Sequence, residues 1–144
     1  MASSQYQWLR AVILFGIFYV VVGIGFGSIA GSAVSNEMRF LWRLAAWLVS
    51  AAAFAVHIGY EQSRLGHPHR ITAFHVSMAA ALGAFGLAVA ANIHELWATP
   101  GYRSLLAVAL VVWPIMTGVP AFLVALAAAA GLARVQRRTD PRKD

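Results

Sequence analysis

Residues 44–60 read LAAWLVSAAAFAVHIGY, residues 61–70 read EQSRLGHPHR, and residues 71–93 read ITAFHVSMAAALGAFGLAVAANI. Two long apolar runs flank one short polar turn, and that pattern decides the fold. About 20 helical residues cross the roughly 30 Å of hydrocarbon in a bilayer, and each run is near that length. Neither run alternates apolar and polar residues, so a membrane β-barrel is disfavoured. The segment reads as a transmembrane helical hairpin.

Composition extends this reading to the whole chain. The 144 residues are 60% apolar and only 11% charged, with a mean hydropathy of +0.70. A soluble domain carries more charge than this on its surface. There is no cysteine, which excludes disulfides, thiolate metal sites and CxxC redox chemistry. The net charge of +6 would point to nucleic acid in a soluble protein. Here five of the eleven basic residues fall in the last eleven positions, so an anionic lipid surface is the expected partner and nucleic acid is not.

Four spans follow, at about 8–31, 40–60, 71–93 and 104–133, with a basic tail over 134–144. The expected fold is an all-α, four-transmembrane-helix up-down bundle forming a single domain. The first run exceeds the roughly 7–15 residues of a signal-peptide core, so it is read as a retained helix. With the N-terminus inside, the inner segments hold Arg10, Arg64, Arg70, Arg134, Arg137, Arg138, Arg142 and Lys143. The outer loops hold only Arg39, Arg43 and Arg103. This bias predicts an N-in, C-in topology, and the expected location is the cytoplasmic (inner) membrane of a bacterium.

Within span one, Gly23, Gly27 and Gly31 repeat at four-residue spacing. Such a stripe lets a second backbone approach closely, either within the molecule or across a homo-oligomer interface, and a homo-oligomer, most simply a dimer, is expected. Span four carries Trp113, Pro114, Thr117, Gly118 and Pro120 near its centre. Each proline removes a backbone donor, so an interruption of the helix is expected there, either a structural kink or a break of the kind that lines ion paths in transporters. Arg43 stands one turn inside span two between Trp42 and Trp47, where it either snorkels to the interface or serves a bound solute. At the far end of the hairpin, Asn92, His94 and Glu95 come level with Arg39; a Glu95–Arg39 salt bridge or a charged vestibule would follow.

Folding the hairpin about Gly66 places His57 and His75 at one level, nine residues to either side. Glu61 follows His57 by four residues and shares its helix face. Four uses of this set are open. His57 and His75 can ligate a haem axially. His57, Glu61 and His75 can hold a divalent metal such as zinc. The same trio can relay protons. Otherwise each side chain simply hydrogen-bonds at the interface. His67 and His69 are expected in solvent. No HExxH, GxSxG or phosphate-binding loop is present, and no catalytic residue is assigned. The favoured role is a small transporter or channel for ions, protons or a solute. A bis-histidine haem subunit for electron transfer and a non-catalytic scaffold subunit are the alternatives.

Overall fold

The computed structural model describes the backbone of residues 2–98 and 103–139 and the side chains of residues 6–94 and 107–135. Four α-helices are present: α1 (Ala2–Gly31), α2 (Asn36–Ser63), α3 (His69–Ala98) and α4 (Arg103–Thr139). All four are long and apolar enough to cross a membrane. α4 runs six residues into the basic tail before the described backbone ends.

Burial follows the pattern expected of lipid-facing helices. Leu14, Val21, Trp47 and Met116 point outward, while His57, Glu61, Thr72 and Ser77 are buried. In water this arrangement would expose apolar surface and desolvate polar groups, both unfavourable. In hydrocarbon the outward Leu and Val cost nothing, and the polar groups find partners in the interior.

α1 lies between α2 and α3, and α3 packs most extensively on α4. The helices are thus ordered α2–α1–α3–α4 in space. α2 and α3 meet only sparingly, and so do α2 and α4. Glycines explain the α1–α3 contact. A Cβ on Gly83 would lie 2.6 Å from Tyr19 Cβ, and one on Gly86 would lie 2.4 Å from Val20 Cγ2. Gly16 meets Leu82 in the same way, and Gly23 meets Leu87. Because both helices start on the same side, they run parallel, and small residues bring their backbones together.

The three glycines read as one face therefore divide. Gly23 packs inward, whereas an added Cβ at Gly27 or Gly31 would meet nothing within 4 Å.

α2, α3 and α4 converge on the side of the α2–α3 turn, here called the turn side. Ile58, Ala73, Val76, Ala125 and Ala129 form a buried cluster there, joined by Phe54, Phe122 and Leu126. Gln62 Nε2 donates to the Ala129 carbonyl at 3.0 Å and ties α2 to α4. On the far side, Ser35 caps α2 by accepting from the Met38 N–H at 3.1 Å. Arg39 Nε donates to the Ala30 carbonyl at 3.3 Å, at the C-terminal end of α1 where free carbonyls attract a cation.

The expected break in α4 does not occur: Pro114 and Pro120 lie inside a continuous helix. Gly118 gives a physical reason. A Cβ there would sit 3.2 Å from Ala81 Cβ, so α4 presses against α3 between the two prolines and is held in line. A proline in a membrane helix is tolerated where neighbouring helices support the freed backbone.

Candidate metal centre

The α2–α3 turn builds the site. α2 ends when the Arg64 N–H donates to the Tyr60 carbonyl at 2.9 Å. Gly66 then takes φ +66°, a left-handed conformation that a side chain would strain. This reverses the chain so that the His67 N–H reaches the Glu61 carbonyl at 3.2 Å. α3 starts at His69, and the Thr72 hydroxyl donates to the His67 carbonyl at 3.4 Å. The tight turn folds His67 back over the end of α2 instead of leaving it in solvent.

Glu61 is the centre. Its side chain is 0% exposed, and its Oε2 meets His67 Nδ1 in a short contact and His75 Nδ1 at 3.0 Å. His57 Nε2 stands 3.7 Å from the other oxygen, Oε1, too far for a hydrogen bond. Both nitrogens of His57 and Oε1 of Glu61 are buried without a hydrogen-bond partner. Buried polar groups are ordinarily satisfied, and each orphan costs about 1–3 kcal/mol. His57 Nε2 thus faces Glu61 Oε1 with both atoms buried and unpaired.

α1 closes the site from the side. Trp8 stacks on the His75 ring at 4.5 Å and Phe15 on the His57 ring at 4.1 Å, both nearly parallel. Residues 8 and 15 are two helical turns apart and so project from one face of α1. His67 meets the His75 ring edge-on at 5.2 Å. The His67 side chain is 21% exposed, so the cluster opens to the turn side through this residue.

One carboxylate oxygen and two imidazole nitrogens, from Glu61, His67 and His75, lie within 4.8 Å of one another. The metal set expected from the sequence was His57, Glu61 and His75; the geometry puts His67 into the closest trio and His57 beside it. Neutral imidazole and carboxylate suit zinc and ferrous iron, either as a His₂Glu zinc site or as a two-histidine, one-carboxylate iron site. A haem does not fit His57 and His75. Axial ligation needs the two rings on opposite sides of an open porphyrin plane. Here both turn toward one carboxylate, and each is covered by an α1 aromatic.

No known protein family matches the chain, and no curated protein or solved structure does. The site must be read from its own geometry.

The other residues singled out in the sequence lie apart from this centre. His69 is exposed at the start of α3. Asn92 donates to the Ala88 carbonyl of its own helix at 2.8 Å. His94 is exposed, and the side chains of Glu95 and Arg103 lie outside the described residues, so the Glu95–Arg39 pair does too. Thr117 and Pro120 line the same cleft between α4 and α2 as Arg43. His67 is the residue that sequence reasoning missed. Its signal was the glycine one position earlier, which allows the chain to double back onto Glu61.

Proposed function

We propose that the protein is a small multi-pass membrane protein that binds a divalent transition metal ion through Glu61, His67 and His75. The observation that supports this is the fully buried Glu61 carboxylate with two imidazole nitrogens converging on it within ligand distance of one another. A buried carboxylate is costly unless something compensates it, and a bound cation does so directly. His57 stands beside the other carboxylate oxygen at 3.7 Å, outside hydrogen-bond distance. Loading the ion requires both Nδ1 atoms to be free of protons, so metal and proton compete for the same positions.

This keeps the ion-handling role expected from the sequence and centres it on the turn instead of on the Pro114–Pro120 segment. The ion enters past His67 from the turn side. A proton relay across the membrane is the weaker reading, because the next hydroxyl along α3, Ser77, donates to the Phe74 carbonyl of its own helix.

The test is metal analysis of the purified protein, followed by titration with Co²⁺ as a spectroscopic probe. The wild type is expected to bind the metal near-stoichiometrically, and Glu61→Gln to lose at least a hundredfold in affinity. His69→Ala, altering an exposed neighbour, should bind as the wild type does. Absence of saturable binding by the wild type would overturn the reading.

A further inference from the structure

A second feature does not involve Glu61, His67 or His75. α2 and α4 scarcely touch, and between them runs an open cleft of about 980 Å³ floored by α1 and α3. Its volume is near the top of the roughly 300–1,000 Å³ usual for ligand pockets. The walls are almost wholly apolar: Phe54 and Ile58 on one side, Pro120, Val124 and Leu132 on the other. A permeating ion or sugar would need polar groups along such a length. An acyl chain would not.

Among the described residues, Arg43 is the one charged side chain lining the cleft. Among the described residues it has no ion pair or hydrogen bond, and no acidic side chain lines the cleft to neutralise it. It lies seven residues into α2, about 10 Å along the helix from its start. An unpaired guanidinium at that depth needs an anion, and its long stem lets the head reach toward the headgroup region. Trp47, one turn on from Arg43, also lines the cleft, and tryptophan favours the same interfacial zone. Tyr19 on the floor carries a buried hydroxyl with no partner. Counting about 1.5 Å per residue back from the α1–α2 loop, Tyr19 sits roughly 7 Å deeper than Arg43. That is the order in which a glycerophospholipid presents its phosphate, its ester carbonyls and its chains.

We propose that the α2–α4 cleft binds one anionic phospholipid, with its phosphate on Arg43 and an acyl chain against Phe54, Pro120 and Val124. Arginine and phosphate form charge-assisted, often bidentate hydrogen bonds, which favours this headgroup over a zwitterionic one whose own cation competes. The site is separate from the Glu61 centre, and its failure would leave that centre untouched.

Native mass spectrometry of the delipidated, full-length protein tests it. The probes are phosphatidylglycerol, phosphatidylcholine, palmitate and inorganic phosphate, each titrated alone. The expected result is a single phosphatidylglycerol retained about tenfold or more tightly than phosphatidylcholine, with palmitate and phosphate weaker than either. Arg43→Gln should bring the two phospholipids to equal affinity, and Ala51→Trp, which fills the cleft wall, should weaken both. Equal binding of the two phospholipids by the wild type would overturn the proposal, even if neither variant folds. So would palmitate or free phosphate binding as tightly as phosphatidylglycerol, or a preference unchanged in a folded Arg43→Gln.

Discussion

At the turn-side end of α2, Glu61 is 0% exposed and ringed by three imidazoles; near its far-side end, Arg43 lines an apolar cleft with no partner among the described residues. One helix therefore carries two charges that reach a low-dielectric environment by different routes. Glu61 has a short stem and cannot reach water, so its compensation must come from the protein: His67, His75 and the nearby His57. Arg43 has a long stem and stands near the tryptophan zone, so the bilayer itself can supply its counter-charge. Phe54 and Ile58 link the two regions, packing in the turn-side cluster and lining the apolar cleft.

The largest expected effect breaks the first half of this contrast. Glu61→Ala leaves buried imidazoles around an empty position and should lower stability by about 3–5 kcal/mol, read by thermal unfolding in detergent. Metal binding should vanish with it. If Glu61→Ala unfolds as the wild type does, the carboxylate is not compensated from within.

Next comes the α1–α3 seam that holds Trp8 and Phe15 over the site. Gly83→Val places a side chain against Tyr19 Cβ, and the expected loss is about 1–3 kcal/mol in the same assay. Metal affinity should fall as well, because α1 can no longer hold its two rings against His57 and His75.

Gln62→Ala removes the hydrogen bond to the Ala129 carbonyl, the tie that closes α2 on α4 at the turn side. A loss of about 1 kcal/mol is expected. A much smaller change would mean that the Ile58–Ala125 cluster alone holds the helices together.

The smallest effects belong to the open surfaces. Arg43→Gln should change stability by less than about 0.5 kcal/mol while altering lipid preference, the reverse of Glu61→Ala. Gly27→Leu, with nothing within 4 Å of an added Cβ, should be equally mild. A marked loss of stability there, or loss of a crosslinked dimer, would show that a second copy of the chain covers that face.

The four apolar runs were legible as four helices because length and composition alone govern that reading. His57 and His75 both approach Glu61, and their equal distance from Gly66 is legible from counting residues alone. The spatial order of the helices was not legible. In an apolar chain no polar face marks which side turns inward, and alanine and glycine serve every interface alike. The place of α1 between α2 and α3 depends on matching Gly83 to Tyr19 and Gly86 to Val20, a fit of shapes that no periodicity records. Likewise, Pro114 and Pro120 signal a weakened helix, but whether it breaks depends on what supports it, here α3 at Gly118. His67 was misjudged because a histidine beside a proline in a short loop reads as solvent-facing. Its burial against Glu61 comes from a single left-handed residue.

The turn-side centre depends on the Glu61 carboxylate acting as a cation ligand. Titrating the purified protein with Co²⁺ and following its visible absorption is the most direct measurement. A saturable band in the wild type and in His69→Ala, absent in Glu61→Gln, is the predicted result. No saturable band in the wild type, or an undiminished one in Glu61→Gln, would contradict it.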